Sequence, residues 1–192
     1  DFIVDVQDGK PGIQLPKDFM SFVNQHMRYC GQGQIEQKYN FKEYINDSWN
    51  PINYKDNNFY TFSQRSLSPI GYLISGFGMF IGQLLCRSYS TPYNLLLFGR
   101  IFNLIFYITV TYLAIKITPY FKRTMLLLSL MPTSIFLAAS LSYDAIVIPI
   151  SFLTFAYVFK LFISSESYII NNKDLIIILF ASFFLGGIKP IY

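Results

Sequence analysis

Long apolar stretches separated by short polar turns fill the second half of the chain. Residues 124–159 are almost all apolar or small, and Asp144 is the only charged residue among them. A helix needs about 20 apolar residues to cross a bilayer. The pattern predicts spans at about residues 93–117, 124–140, 145–163 and 174–188, with a kink at Pro132. We therefore predict an all-α fold, a polytopic helical bundle in a membrane.

Residues 68–86 allow two interpretations. They carry no charge, but they contain four glycines, and glycine lowers helix stability. The stretch can cross the membrane, or it can form an interfacial or re-entrant helix that does not cross. Gly78 and Gly82 are spaced so that another helix can pack closely against them.

Charge in the turns favours the second interpretation. The turn at residues 116–123 and the connection at residues 160–173 together hold five basic side chains, whereas the junction at residues 140–144 holds none. Basic loops stay on the cytoplasmic side. If residues 68–86 do not cross, an extracytoplasmic segment of residues 1–67 satisfies this rule, and if they cross, it does not. We therefore predict an extracytoplasmic segment, residues 1–67, followed by a membrane domain, residues 68–192.

The predicted extracytoplasmic segment is nearly neutral, with seven basic and eight acidic side chains. Residues 17–30 have the apolar periodicity of a short amphipathic helix. His26, within it, has no Cys or His partner at metal-ligand spacing, so we interpret it as a packed or exposed histidine. The sequence of residues 29–62 predicts an irregular loop. Within it, Trp49 and Tyr54 suit anchoring at the membrane interface, and carbohydrate stacking is the alternative.

Composition supports a membrane protein and argues against a nucleic-acid-binding one. Charged residues make up only 14% of the chain, compared with about a quarter in soluble domains. The net charge of +4 arises at helix ends, where topology explains it, so the predicted partner is the lipid bilayer and not nucleic acid. Abundant Lys, Asn, Ile, Tyr and Phe are typical of an A+T-rich bacterial genome, which suggests a bacterial plasma membrane. The ends at Asp1 and Tyr192 suggest a fragment of a longer protein.

Three ionisable side chains in or near the apolar stretches are the candidate site residues: Arg100, Asp144 and Lys189. The predicted topology places all three toward the outer face, where they suit an anionic, lipid-linked substrate. Arg100 and Lys189 can bind phosphate, and Asp144 can act as a base or hold a divalent metal, magnesium or manganese. The alternatives are that Asp144 caps a helix starting at Ala145, with Ser142 in reserve, that Arg100 snorkels to lipid headgroups, and that Lys189 anchors a helix end.

Several short motifs in this half of the chain resemble those of one family. They are Ser68–Pro69–Ile70–Gly71–Tyr72, Gly99–Arg100, Met131–Pro132, Ser140–Leu141–Ser142–Tyr143–Asp144–Ala145 and Lys189–Pro190–Ile191–Tyr192. In this order they resemble the bacterial membrane-protein family known as domain of unknown function 2142, from about Leu67 to the end of the chain. More distantly, the layout is similar to the GT-C glycosyltransferases, such as protein mannosyltransferases and aminoarabinose transferases.

The resemblance to GT-C enzymes implies a glycosyltransferase of the cell envelope that takes sugar from a polyprenyl-phosphate carrier. Asp144 would then be the second-loop aspartate that helps form a metal site, and residues 68–86 the non-crossing interfacial helix. The acidic motif of the first outer loop is not recognisable, since Asp1, Asp5 and Asp8 lack its pattern. We therefore expect the chain as given to lack a complete active site. A non-enzymatic transporter, flippase or scaffold in surface polysaccharide export explains the same spans and charges.

Overall fold

A computed structural model describes residues 5–7, 10–30, 41–61, 69–86, 90–163 and 172–188. The chain divides into two units. The first comprises Asp1–Ser66 and Gly82–Leu96, and the second comprises Leu67–Ile81 and Leu97–Tyr192. The long helix that begins at Pro92 therefore contributes its first residues to one unit and the remainder to the other.

The first unit contains a three-stranded antiparallel sheet and two helices. Strands β1 (Asp5–Gln7), β2 (Lys10–Pro16) and β3 (Asn57–Thr61) are arranged in the order β1-β2-β3, with Gly12 opposite Thr61. Helix α1 (Lys17–Cys30) follows β2 directly and matches the predicted amphipathic helix, and helix α2 is Phe41–Ser48. Phe22 of α1 is buried, and its ring centroid lies 5.7 Å from that of Tyr44 of α2.

The prediction of an all-α fold is confirmed in part: the described chain is mostly helical, but it also contains this sheet. The prediction of an irregular loop at residues 29–62 is wrong, because the described part of this range contains α2 and β3. Strand β3 pairs with β2, which is far away in the sequence, so no hairpin turn marks β3. Strands β1 and β2 pair as a hairpin, with Gln7 opposite Lys10, and the sequence Asp8–Gly9 between them was the available signal. An ion pair between Lys17 and Asp56 (2.5 Å) also links the start of α1 to the turn before β3. The backbone of His26 belongs to α1, but its side chain lies outside the described residues.

Two of the predicted spans are confirmed as helices long and apolar enough to cross a membrane. Helix α4 is Pro92–Ile117, and helix α7 is Asp144–Ile163. Helix α8 (Asn172–Ile188) is apolar but shorter, and the span predicted at residues 174–188 stays a prediction. Ile146, Val147 and Ile150 of α7 pack with Ala181 and Ile188 of α8 in the buried core of the second unit.

The stretch predicted as one kinked span at residues 124–140 is instead two short helices. Helix α5 is Lys122–Ser129 and helix α6 is Pro132–Ala138. Met131, between them, has an extended backbone (φ −59°, ψ 138°), since a residue before proline is driven out of the helical region. Pro132 itself occupies the first position of α6, where its missing N–H costs nothing. The chain is therefore broken, not kinked, and whether this stretch crosses the membrane stays a prediction.

Residues 68–86 contain a 3₁₀ turn (Pro69–Tyr72) followed by helix α3 (Leu73–Leu85). Their interfacial or re-entrant position stays a prediction. The close packing predicted at Gly78 is confirmed: a Cβ atom there would lie 2.8 Å from the backbone oxygen of Phe98 and 2.8 Å from Cβ of Phe102, both on α4. Gly76, two residues earlier, has nothing within 4 Å of the corresponding position.

These two glycines form a matched pair for measuring helix packing. Gly76→Ala should raise the unfolding temperature in detergent, because alanine gains about 0.5–1 kcal/mol over glycine in a helix. Gly78→Ala gains the same propensity but forces a clash with backbone, which typically costs about 1–3 kcal/mol, so the unfolding temperature should fall. Equal stabilisation by both substitutions would contradict the packing of α3 on α4.

Candidate functional site

The junction between α6 and α7, residues 140–144, is held by a chain of hydroxyl hydrogen bonds. The Ser140 hydroxyl donates to the Leu137 carbonyl oxygen (2.7 Å) and accepts from the Ser142 N–H (3.2 Å). The Ser142 hydroxyl in turn accepts from the Asp144 N–H (3.2 Å) and donates to Oδ2 of the Asp144 carboxylate (3.1 Å). The turn that precedes α7 is therefore shaped by its own serines.

This arrangement separates helix capping from the carboxylate of Asp144. Helix α7 begins at Asp144 itself, one residue earlier than predicted, and the Ser142 hydroxyl binds the first backbone N–H. The Asp144 carboxylate lies in the first turn, where the helix dipole favours a negative charge. Within the described residues its hydrogen-bond donor is the Ser142 hydroxyl.

Tyr72 lies beside the junction. Its ring meets that of Tyr143 edge to face, with centroids 6.4 Å apart and planes at 88°. Burial raises the pKa of the Tyr72 phenol, and the nearby Tyr143 and Asp144 raise it further. Tyrosine is protonated at neutral pH in any case, so the Tyr72 hydroxyl can act as a hydrogen-bond donor there. Tyr72 belongs to the motif at residues 68–72, but no sequence pattern marks it as a neighbour of the junction.

The end of α8 lies beside the junction at residues 140–144. Gly71 sits between Tyr143 and Ile188: a Cβ atom on Gly71 would be 2.7 Å from Cβ of Tyr143 and 3.2 Å from Cγ2 of Ile188. Absence of a side chain at Gly71 therefore lets the junction and the end of α8 approach each other. Lys189 follows Ile188 in the sequence but lies outside the described residues, so its role in phosphate binding stays a prediction.

Arg100 lines an open groove of about 490 Å³ between α4 and α6. The groove is otherwise almost entirely apolar, and Arg100 is the one charged residue among those that line it: Leu97, Arg100, Ile101, Leu104, Ile135, Phe136, Ala139 and Ser140. Ser140 is the first residue of the junction. The structure thus brings Arg100 and one end of the junction into the same groove.

Asn103 ties the junction to α4, one turn after Arg100. It is 1% exposed, and its Nδ2 donates to the Ser140 carbonyl oxygen at 2.7 Å. Its Oδ1 is buried without a hydrogen-bond partner within the described part of the chain. Sequence reasoning missed Asn103, although a carboxamide inside an apolar span was the available signal, because buried polar groups need partners.

The described residues do not by themselves form the predicted metal site. Among them no group of three His, Cys, Asp or Glu side chains is placed to share a metal ion. Asp144 supplies one carboxylate, and magnesium at phosphate sites is usually held by about one or two carboxylates together with substrate phosphate and water. Magnesium or manganese at Asp144 therefore stays a prediction. The side chains of Asp1, Asp5 and Asp8 lie outside the described residues. We therefore assign no step of the chemistry to a metal.

Comparison with known protein families identifies the family of the chain. The model of the family described as "Predicted membrane protein (DUF2142)" matches residues 11–192, which include every residue of the candidate site. No curated protein and no solved structure matches the chain. The similarity to GT-C glycosyltransferases therefore stays a prediction.

The separate contributions of Ser142 and Asp144 to the stability of the protein can be measured. Ser142→Ala removes the hydroxyl that binds the first N–H of α7 and should lower the free energy of unfolding by about 1 kcal/mol. Ser142→Thr keeps the hydroxyl and should cost less. Asp144→Asn keeps the backbone N–H bond to Ser142 and should also cost less than Ser142→Ala, as measured by thermal unfolding in detergent. A larger loss for Asp144→Asn than for Ser142→Ala would contradict the assignment of capping to Ser142.

Proposed function

The chain belongs to the DUF2142 family of predicted membrane proteins, and from this premise we propose that it is a glycosyltransferase-like protein of the bacterial cell envelope. Its substrate is a sugar linked to a polyprenyl phosphate. The observation that carries the proposal is the groove between α4 and α6, which combines apolar walls with a single guanidinium group. Two candidate membrane spans, Pro92–Ile117 and Asp144–Phe162, support the membrane location.

The groove has the chemistry of a lipid phosphate site. Its leucine, isoleucine and phenylalanine side chains favour an isoprenoid chain, and Arg100 can bind phosphate oxygens through two N–H groups at once. Its volume of about 490 Å³ falls within the range of small-molecule sites, about 300–1,000 Å³. Snorkelling of Arg100 to bulk lipid uses the same phosphate chemistry, so the two alternatives differ in which lipid the groove selects.

In the proposed transfer, Asp144 acts as the general base. An acceptor hydroxyl attacks the anomeric carbon of the sugar, and the bond from that carbon to the phosphate oxygen breaks as the new glycosidic bond forms. The bonding electrons leave with the phosphate, whose charge is stabilised by Arg100, and the hydroxyl proton moves to the Asp144 carboxylate. Ser142 orients that carboxylate through its hydrogen bond to Oδ2.

The proposed orientation places this chemistry on the outer side of the plasma membrane. Residues 1–67 are extracytoplasmic in this arrangement, and the basic turns at residues 116–123 and 160–173 are cytoplasmic. Lys189 would supply a second cation at the outer face. Charge distribution in the sequence supports this orientation.

A non-enzymatic flippase or transporter is the second candidate, and the break between α5 and α6 favours it. Discontinuous helices are typical of transporters, in which they form substrate sites near the bilayer midplane. Such a protein would use the same groove and Arg100 for the lipid phosphate. It would not need Asp144 to accept a proton, which gives a means of discrimination.

Turnover of a lipid-linked sugar separates the two candidates. Full-length protein in proteoliposomes should release polyprenyl phosphate from a polyprenyl-phosphate sugar in the presence of acceptor. Asp144→Asn should reduce the rate about 10²–10⁴-fold, the usual contribution of a general base. Asp56→Asn, at an exposed ion pair of the first unit, is the matched carboxylate control and should leave the rate unchanged. Full activity of Asp144→Asn would remove it from the mechanism, and lipid translocation without sugar release would favour the flippase.

A further inference from the structure

Helix α2 buries part of its surface and leaves an apolar row exposed beside it. The ring of Tyr44 contacts that of Phe22 on α1, and Ser48 is 1% exposed and donates to the Ile45 carbonyl oxygen at 2.8 Å. Next to these residues, Phe41 and Ile45 form a row that continues to Trp49 just after the helix, at a spacing of four residues, and the ring of Phe41 stacks on that of Tyr44 with centroids 6.4 Å apart. We call Phe41, Ile45 and Trp49 the interfacial stripe.

The interfacial stripe is exposed although it is apolar. The exposed fractions of Phe41, Ile45 and Trp49 are 63%, 39% and 55%. Apolar side chains that stay in water forgo the free energy of burial, about 25 cal/mol for each Å² of apolar area. An apolar row of this kind is therefore unfavourable on a soluble surface. An amphipathic helix avoids this cost when its apolar face enters a bilayer surface.

Contact between Trp49 and Tyr93 indicates where the stripe lies. Their ring centroids are 4.8 Å apart, with planes at 24°, in a stacked arrangement. Tyr93 is the second residue of α4, a candidate membrane span that begins at Pro92. Tyrosine and tryptophan are enriched at the membrane interface, so Tyr93 at the start of α4 suits that level. Stacking places Trp49 at the same level.

We propose that the interfacial stripe inserts into the boundary between headgroups and acyl chains of the bilayer that α4 enters. Its occupant is ordinary membrane lipid: Phe41, Ile45 and Trp49 contact the upper parts of the acyl chains, and the exposed Lys42 beside them reaches headgroup phosphate. The anchor holds α2 and the amino end of α4 to one interface. This inference does not rest on the proposed enzymatic function, since a flippase would need the same anchor.

Trp49 is the only tryptophan of the 192-residue chain, so its fluorescence reports directly on the stripe. The chain would be placed in nanodiscs of phosphatidylcholine whose acyl chains carry bromine near the headgroup or near the methyl end. Trp49 emission should be quenched more strongly by the shallow bromine than by the deep one. Iodide in the aqueous phase should quench it weakly.

Two variants separate the stripe from Trp49 alone. Combined Phe41→Ser and Ile45→Ser substitutions remove exposed apolar area without emptying the core, and they should reduce shallow-bromine quenching of Trp49 at least about twofold, because insertion scales with buried apolar area. Ile13→Ser is the matched control: Ile13 is 36% exposed on β2, outside the stripe, and its substitution should leave the quenching unchanged.

Three results would overturn the proposal. Strong iodide quenching with no bromine quenching would place Trp49 in water. Shallow-bromine quenching that is unchanged in the Phe41→Ser and Ile45→Ser variant would show that Trp49 reaches lipid without the stripe. Loss of bromine quenching on addition of a soluble sugar such as N-acetylglucosamine would make Trp49 a carbohydrate platform instead.

Discussion

Peptide groups in apolar surroundings must find hydrogen-bonding partners within the protein, and this constraint shapes the region around the candidate site. The break between α5 and α6 releases carbonyl groups from helical pairing. Tyr107 of α4 donates its hydroxyl to the Ser129 carbonyl oxygen at 2.8 Å, and Ser134 donates to that of Leu128 at 3.2 Å. One turn before Tyr107, Asn103 donates to the Ser140 carbonyl oxygen where α6 ends. Buried polar side chains of α4 thus lie where the broken segment needs donors.

The second of the two short helices borders the groove. Ile135 and Phe136 of α6 and Leu97 and Ile101 of α4 are among the residues that line it. Arg100 and Asn103 are one turn apart on α4, so the residue that lines the groove and the residue that holds the junction share one rigid element.

Sequence patterns predicted the helices whose formation depends on residues close together in the chain. The periodicity of α1 and the long apolar run of α4 match the structure because each depends on neighbouring residues in the sequence. Strand β3 was missed because it pairs with β2 across about 45 residues of sequence. The β1–β2 hairpin is local, and the Asp8–Gly9 pair between its strands was a signal that sequence reasoning did not use. Proline indicated a distortion at residue 132, but its severity depends on the donors of α4, which the sequence of the segment does not contain.

Part of the candidate site could be predicted from the sequence, and part could not. Asp144 and Arg100 were found because a charge stands out in an apolar stretch. The surroundings of Asp144 and Arg100 were not predicted. The hydrogen bond of Ser142 to the first N–H of α7 and that of Asn103 to the Ser140 carbonyl oxygen depend on a turn geometry, which the periodicity of the sequence does not encode. The positions of Asp144 and Arg100 in the structure leave their catalytic and binding roles as proposals. Both proposed roles assume that the groove recognises a lipid phosphate.

Binding of a polyprenyl phosphate tests that premise most directly. Native mass spectrometry of the chain in detergent would compare retention of a polyprenyl phosphate with that of the uncharged polyprenol. Arg100→Gln should weaken retention of the phosphate at least about tenfold, because a hydrogen-bonded charge contributes about 1.5–3 kcal/mol. Lys116→Gln, an exposed cation at the other end of α4, should leave it unchanged. Equal retention by the Arg100→Gln and unsubstituted chains, or equal retention of phosphate and alcohol, would contradict the account.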